Sequence, residues 1–257
     1  MKGKSFFLSV MGLAAIQLSS CQRKSFDPAL AGAFFPLRPG LSWTYRIIDQ
    51  RRGTTDIFTD RVVGKGQIGN RESASEVESE YAGPTGALTS TTIYVAEGGY
   101  FTRQSSIGKT ARIMLAERAF LPELLKPDLT WSNSLVPFDQ QPGSFQVTQK
   151  HRTSFDTKTV EVPAGHFSGC IRIETEALYQ SDSSEGNLPL RLKYLDWYAP
   201  RIGLVKTLVE QSGLFGAELA RVELLNFGYS PPKSAPPLSV SASSVSEQRS
   251  SIPYVMR

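Results

Sequence analysis

The chain holds two histidines and two cysteines among its 257 residues, and these are its side chains best suited to nucleophilic or metal chemistry. Zinc, haem and iron–sulfur sites need three or four such ligands, so the count excludes most of them. His166 follows a tight turn and His151 lies between two basic residues, with no Gly-x-Ser-x-Gly elbow near either. A hydrolase triad therefore lacks support. We predict that both histidines are surface residues and that basic neighbours lower the pKa of His151.

Cys170 and four carboxylates are the remaining candidates. Cys170 has no adjacent base and no cationic helix terminus, so a small buried side chain is predicted in place of a nucleophile. Glu174, Glu176, Asp182 and Glu185 could bind Ca²⁺ or act as an acid–base pair, but they lack EF-hand spacing. The first two alternate onto a solvated strand face, and the other two lie in a Ser-rich loop. We therefore predict no catalytic residue, no metal, no cofactor and no enzymatic activity.

The start of the chain has the pattern of a bacterial lipoprotein signal. A basic start precedes an uncharged apolar run over residues 6–18, which is shorter than the 20 or so residues of a membrane-spanning helix. Leu18-Ser19-Ser20-Cys21 then resembles the lipobox. The resemblance implies cleavage between Ser20 and Cys21, a diacylglyceryl thioether on Cys21 and acylation, for example by palmitate, of its new amino terminus. The alternative is a plain secretory signal with an accidental cysteine.

The lipid anchor predicts a location in the cell envelope. In Gram-negative lipoproteins Asp after the lipidated cysteine signals inner-membrane retention, so Gln22 favours the outer membrane, with the domain facing the periplasm. Arg23 and Lys24 either touch anionic headgroups or are solvated tether residues. The sequence has no basic stripe with interleaved aromatic residues, so nucleic-acid binding is not indicated. With Cys21 lipidated, Cys170 has no disulfide partner.

Composition divides the chain into four parts. Residues 1–20 are the predicted signal peptide, and residues 21–32 are a lipidated tether. Residues 33–229 carry the predicted β domain. Residues 230–257 are rich in Ser and Pro, have little bulk to bury, and are predicted to be a disordered tail. The tail is either passive or a spacer that binds a partner.

Short β-like runs dominate residues 33–229. Residues 171–177 alternate cleanly, with apolar Ile171, Ile173 and Ala177 on one face and charged side chains on the other. Runs of this size, separated by Gly, Pro and Asn, predict an all-β fold of roughly ten antiparallel strands, in a strongly curved sheet or a partly closed barrel. Helix is minimal: one helical turn is predicted at residues 119–125. Residues 214–225 fit either a helix or a strand, and we favour a strand; residues 163–165 are predicted as a hairpin turn.

Two segments of the chain echo one another. Residues 33–43 and 119–131 share the pattern A-F-[FL]-P, a gap, and L-[RK]-P-[GD]-L-[ST]-W. Each copy predicts a proline-directed turn that leads into a strand with a buried tryptophan. One interpretation is a duplication that gives two related β lobes packed together. The other is that the same turn arose twice.

Three segments resemble a family of exported bacterial lipoproteins of unknown function, sometimes called TapB-like. They are residues 35–45, the V-x-V-P-A-G element at residues 160–170, and the Y-A-P-x-x-G-L-V-K element at residues 198–206. The sequence departs from the family pattern at His166, where Thr is usual, and at Arg201, where a small residue is usual. The resemblance implies an all-β exported domain and supplies no catalytic residues.

Aromatic side chains are the richest feature left. They either line a ligand groove in the curved sheet or fill the core of the domain; the set is Trp43, Tyr45, Trp131, Tyr194, Trp197 and Tyr198. The first hypothesis is a non-enzymatic, membrane-anchored envelope lipoprotein that binds an apolar or amphiphilic ligand, or a partner protein, through its curved sheet. The second is a structural or accessory subunit of an envelope complex, without a ligand pocket. A hydrolase is the third and least supported hypothesis.

Overall fold

The computed structural model describes residues 29–68, 71–83, 86–107, 113–137, 145–181, 190–211 and 217–229. The predicted signal peptide, Cys21, most of the tether and the Ser/Pro-rich tail lie outside these residues, as do Asp182 and Glu185. None of the described residues forms a helix of the length and hydropathy needed to cross a membrane.

The described residues form sixteen strands and one short 3-10 turn at Ala31–Ala33, and no α-helix is found among them. The strands are β1 (Ala29–Leu30), β2 (Leu41–Asp49), β3 (Thr54–Ile68), β4 (Arg71–Gly83), β5 (Gly86–Glu97), β6 (Tyr100–Ile107), β7 (Ile113–Pro122), β8 (Leu124–Leu125), β9 (Thr130–Pro137), β10 (Phe145–Phe155), β11 (Val160–Val162), β12 (Gly165–Phe167), β13 (Ile171–Ser181), β14 (Leu190–Ala199), β15 (Gly203–Gln211) and β16 (Glu218–Tyr229).

Twelve of the strands form one closed antiparallel barrel, which confirms the predicted all-β class. The barrel closes because β2 pairs with β16 on one side and β9 pairs with both β7 and β10 on the other. The two remaining strand pairs, β1–β8 and β11–β12, are small additions to it. The sequence predicted a strongly curved antiparallel sheet or a partly closed barrel, and the structure confirms this architecture as a barrel.

The barrel consists of two six-stranded meanders. Strands β2 to β7 form the first, and β9, β10 and β13 to β16 form the second, which carries the β11–β12 hairpin as an insertion. The two echoing segments begin these meanders with the same turn: Gly40 and Asp128 both have positive φ, 89° and 58°. In Arg38–Leu41 and Lys126–Leu129 the last amide donates to the first carbonyl, at 3.1 and 3.3 Å. This is a type II turn with proline in second place. The two echoing segments therefore begin the two halves of one barrel. The described residues do not form the two separate, packed lobes that a duplication would have given.

The alternation predicted for the strand at residues 171–177 is confirmed. Ile171, Ile173 and Ala177 are buried, while the charged residues between them lie on the outer face. Residues 218–225 are a strand as predicted, and the turn at residues 163–164 joins β11 to β12.

The helical turn predicted at residues 119–125 is wrong. Strand β7 runs to Pro122, and β8 follows directly. Neighbouring strands take up these residues: Leu121 lies opposite Phe101, and Leu125 lies opposite Ala29. The apolar residues of this segment pack against the end of the barrel, and Leu121 and Leu125 are almost fully buried. Tertiary pairing thus overrides the local pattern.

Residues 31–37 cover one end of the barrel, which we call the plugged end. The amide of Ala31 donates to the carbonyl of Glu123 at 2.8 Å, and the amide of Arg201 donates to the carbonyl of Ala33 at 2.5 Å. Both contacts join the segment to turns between barrel strands. Because all barrel strands are antiparallel, the start of β2 and the end of β16 lie at this same end.

The ring of Phe35 fixes this plug. It makes edge-on contacts with four aromatic rings at centroid distances of 5.0 to 6.4 Å, namely those of Tyr94, Phe120, Phe101 and Tyr198. Edge-to-face contacts at such distances are the preferred geometry of aromatic pairs. The barrel is therefore filled with aromatic rings close to the plugged end.

Candidate functional site

A group of polar side chains lies on the buried inner face of β9, β10 and β13. We call Gln149, His151 and Thr175, together with the ring of Trp131, the lumen cluster. The register places His151 between Trp131 on one side and Thr175 on the other. Its ring stacks on Trp131 with centroids 4.7 Å apart, and its Nδ1 lies 2.8 Å from Thr175 Oγ1. Burying this many polar groups in a β core costs free energy unless each of them forms a hydrogen bond.

The prediction that His151 is a surface residue is wrong. Only 7% of the residue is exposed, because Lys150 and Arg152 occupy the outward positions on either side of it. The pKa of His151 is lowered to about 4, first by burial and then by the charge of Arg103 across the lumen. The predicted direction of the shift thus agrees with the structure, but its cause is burial and not the adjacent basic residues. At neutral pH the imidazole is uncharged.

Two buried polar atoms of β10 have no hydrogen-bond partner in the part of the chain that the structure describes. They are His151 Nε2 and Gln149 Oε1, and Gln149 is only 8% exposed. A neutral imidazole carries one donor and one acceptor nitrogen, so Nε2 can donate or accept one further bond. The carboxamide oxygen can only accept. The two residues point into the lumen two positions apart, about 7 Å along the strand. Together they offer matched contacts to a hydroxyl or amide group.

Two tyrosines and an arginine extend the polar surface. Tyr179 Oη lies 2.7 Å from Tyr194 Oη, and burial raises the pKa of both phenols. Arg103 is 7% exposed, and its charge lowers the pKa of both His151 and Tyr179, so its guanidinium lies near both side chains. The guanidinium carbon also lies 4.5 Å from the ring centroid of Phe120. The lumen therefore combines hydrogen-bonding groups with one cation and aromatic rings.

The structure separates the six aromatic residues proposed as ligand-lining. Trp131 belongs to the lumen cluster, and Tyr194 lies next to it because Tyr194 is opposite Thr175. Trp131 also donates its indole N–H to the carbonyl of Ala119 at 3.1 Å. These two aromatic residues are the ones brought to the polar part of the lumen.

Three others help to close the barrel towards the plugged end. Trp43 donates its indole N–H to the carbonyl of Ile202 at 2.5 Å, and Tyr45 donates its hydroxyl to that of Leu204 at 3.0 Å. Tyr198 packs against the plug. These side chains fill the core, which is the second of the roles considered for them.

Trp197 lies on the outer face, on the same side of β13 and β14 as Arg172. Its indole N–H donates to Asp156 Oδ2 at 3.2 Å, and Lys206 Nζ stands 5.9 Å from its ring centroid. It packs in a cluster with Val160 of the β11–β12 hairpin. Trp197 therefore attaches the hairpin to the barrel wall and does not reach the lumen.

Cys170 and His166 lie away from the lumen cluster. Cys170 is fully buried, and burial, with a contribution from Asp156, raises the pKa of its thiol to about 11. A thiolate is thus disfavoured at neutral pH. His166 is 73% exposed at its side chain and lies 3.5 Å from the equally exposed Glu161.

The carboxylates Glu174 and Glu176 lie on the outer face, and Glu174 pairs with Lys193 at 2.7 Å. Within the described residues, no three His, Cys, Asp or Glu side chains are placed to hold a metal ion. His151 has a hydroxyl, Thr175, in hydrogen-bond reach, but a cation faces it where a triad needs a carboxylate. A base with a pKa near 4 is also poorly matched to proton transfer at neutral pH.

Two depressions open on the surface of the barrel. One, of about 410 Å³, lies at the plugged end between residues 32–38 and the barrel rim, with Arg38 and Arg201 in its lining. The other, of about 470 Å³, lies on the wall formed by β9, β10 and β13. Its lining combines Trp131 and His151 with polar and charged residues, namely Thr130, Ser132, Lys150, Arg152, Glu174 and Glu176. Neither is a dry, enclosed apolar cavity lined by the six aromatic residues, which is the feature that would favour the first hypothesis.

The chain is an all-β protein built on a closed antiparallel barrel, and comparison with known proteins finds a similar fold. No protein-family model matches the chain, and no curated protein matches it. A solved structure described as a "putative lipoprotein" from Parabacteroides distasonis has 17% identity and a TM-score of 0.50; the match covers 79% of this chain and 100% of that one. A second, described as a "putative exported protein with YmcC-like fold" from Bacteroides fragilis, has 16% identity and a TM-score of 0.41, with coverages of 76% and 98%.

At such low identity the first likeness shows a shared fold. The resemblance to TapB-like lipoproteins and the lipobox both stay predictions.

Proposed function

We propose that this chain is a lipid-anchored protein of the bacterial cell envelope that binds an amphiphilic ligand in its barrel lumen and catalyses no reaction. One observation carries the ligand site: His151 Nε2 and Gln149 Oε1 are buried and unpartnered within the described part of the chain. A buried polar atom without a partner costs about 1–3 kcal/mol. A bound hydroxyl or amide recovers that cost.

The composition of the lumen supports an amphiphile. The polar cluster and the pair of tyrosine hydroxyls lie in the middle of the barrel, and aromatic rings around Phe35 fill it towards the plugged end. A ligand head with hydroxyl or amide groups matches His151 and Gln149. Its apolar part matches the aromatic side chains next to the cluster.

The anchor rests on the N-terminal sequence. The lipobox at residues 18–21 follows a basic start and an apolar run, and it places Cys21 at the membrane. Gln22 favours the outer membrane and a domain that faces the periplasm. The description of the Parabacteroides distasonis structure as a putative lipoprotein agrees with this proposal.

The second candidate is an accessory subunit of an envelope complex. One observation favours it: several large apolar side chains, among them Leu30 and Leu124, are exposed at the plugged end. A protein partner there would explain them. The lumen cluster has no role in that function.

The ligand site is tested by purifying the lipidated protein from membranes and identifying co-purified small molecules by mass spectrometry. We expect one amphiphile to be enriched with the native chain and lost from the double variant His151→Phe/Gln149→Met. These changes keep ring and volume but remove both hydrogen-bonding atoms. His166→Phe on the exposed hairpin is the matched control and should retain the molecule. Equal recovery from the double variant and the native chain would overturn the lumen site. Gln149→Met alone serves if the double variant does not fold.

The anchor is tested separately. Cys21→Ser should abolish labelling with radioactive fatty acid and leave the precursor uncleaved. Processing of Cys21→Ser at the normal position would show a plain secretory signal instead.

A further inference from the structure

We infer that the plugged end of the barrel rests on the surface of the bilayer, with Leu30 and Leu124 in the lipid interface and Arg38 and Arg201 at phosphate headgroups. The inference rests on the proposed lipid anchor, and it goes beyond that anchor because it assigns a second, non-covalent membrane contact to the folded domain. It also fixes the orientation of the barrel.

Exposed apolar side chains are concentrated at this end. Six large apolar side chains are exposed among the described residues, and four of them belong here: Leu30 at 66%, Leu124 at 57%, Phe227 at 39% and Tyr229 at 70%. The other two, Ile57 and Leu190, lie near the opposite end of the barrel. Leu30 lies directly opposite Leu124 in the β1–β8 pair, so the two leucines form one patch. Leucine together with aromatic residues is the composition of surfaces that enter a bilayer interface.

Two exposed arginines lie at the same end. Arg38 and Arg201 line the depression of about 410 Å³ beside the plug, and no acidic residue contributes to its lining. Neither guanidinium is paired with a carboxylate in the described part of the chain. Arg201 holds a left-handed backbone conformation at φ 64°, which is unfavourable for a residue other than glycine. A guanidinium binds phosphate oxygens through paired N–H donors.

The path of the chain brings this end to the membrane. Cys21 precedes the first residue of β1, Ala29, by eight positions. Eight residues span at most about 28 Å even when fully extended. Arg23 and Lys24 lie within that stretch and add positive charge next to the lipid. The tether therefore holds the leucine patch close to the membrane, and the bilayer is the partner that we assign to the patch.

The test places an environment-sensitive fluorophore at Leu124→Cys in the mature, lipidated protein. The protein is reconstituted into phosphatidylcholine vesicles with or without phosphatidylglycerol. We expect a blue-shifted emission that a lipid-borne quencher reduces. Leu30→Cys is a second site for the same measurement. Ile57→Cys is the matched control, since Ile57 is 44% exposed but lies on the barrel wall away from the plugged end, and it should show neither effect. The native chain controls for labelling of Cys170.

The outcomes separate this inference from the anchor. Failure of the protein to float with vesicles would refute the anchor. Flotation with no lipid quenching at Leu124→Cys would overturn the membrane contact alone. A blue shift that persists in detergent and grows with protein concentration would assign the patch to a second copy or another protein. Arg38→Glu/Arg201→Glu should reduce quenching in vesicles with phosphatidylglycerol, and inorganic phosphate should not reproduce the effect of that lipid.

Discussion

The imidazole of His151 lies flat against the indole of Trp131 inside the barrel, with the two ring planes 15° from parallel. The stack buries the titratable ring of His151 on the inner face of β10, opposite to Lys150 and Arg152 on the outer face. It also connects β10 to β9. The titration of His151 and the stability that Trp131 contributes can both be measured.

The first prediction concerns stability against pH. The pKa of His151 is about 4 in the folded protein, whereas the ordinary value for histidine, which applies to the unfolded chain, is 6.5. Between these values the unfolded chain binds more protons, so stability falls as the pH is lowered from 6.5 towards 4. The loss is on the order of 3 kcal/mol. Urea unfolding at both ends of this window measures it, and His151→Phe, which does not titrate, should lose less. An equal loss in both proteins would show that His151 titrates normally.

The second prediction concerns the junction between the two meanders. Strands β7 and β9 share three register pairs, and Trp131 adds a bond to the carbonyl of Ala119. Trp131→Phe keeps a ring but loses that bond, at a cost of about 1 kcal/mol. We expect faster amide hydrogen exchange in β7 and β9. Trp43→Phe loses the comparable bond to Ile202 and should leave exchange at β7 and β9 unchanged. The same exchange pattern in both variants would contradict a local effect.

The third prediction compares two ion pairs. The side chain of Glu223 is 6% exposed and accepts hydrogen bonds from Arg46, with Nη2 at 2.6 Å. Glu223→Ala leaves that guanidinium without its partner and should cost about 2 kcal/mol. Glu174→Ala removes a pair with Lys193 in which both side chains are about one-third exposed, and it should cost below about 1 kcal/mol. Denaturant midpoints of the two variants test this order, and the reverse order would show that burial of the Glu223 carboxylate does not strengthen its pair with Arg46.

The fourth prediction concerns Cys170. Because burial raises the pKa of the thiol to about 11, maleimide reagents should label it only after unfolding. Cys170→Ala should leave ligand recovery intact. Loss of the ligand in a folded Cys170→Ala protein would assign the thiol a role in binding.

The apolar positions of the sheet are predictable from the sequence, and the polar ones are not. In β13 the inward residues Ile171 and Ile173 are apolar, so alternation reveals the buried face. In β10 the inward residues Gln149, His151 and Thr153 are polar, so residues 148–154 are polar on both faces; of the inward residues, Val147 is apolar and almost fully buried. Hydrophobic patterning has no signal there. The usable signal is the alternation of Lys150 and Arg152, which marks the opposite, outer face.

Closure and the second half of the barrel depend on distant pairings. The type II turns at Gly40 and Asp128 are local and visible as an echo in the sequence. The strands that follow these two turns belong to a single barrel because β7 pairs with β9 and β2 pairs with β16. No local pattern in the sequence encodes these two pairings. The error at residues 119–125 has the same origin, since partners far along the chain decide between helix and strand.

The pairing of β2 with β16 has a consequence for folding. Tyr45 lies opposite Leu224, so the first long strand of the barrel meets its partner only when almost the whole domain has been synthesised. Until then the emerging chain carries unpaired strand edges, which favour aggregation. Contacts this distant in sequence also make folding slow. Synthesis of the carboxyl-terminal strand therefore ends the interval in which β2 is open to pairing with a wrong strand.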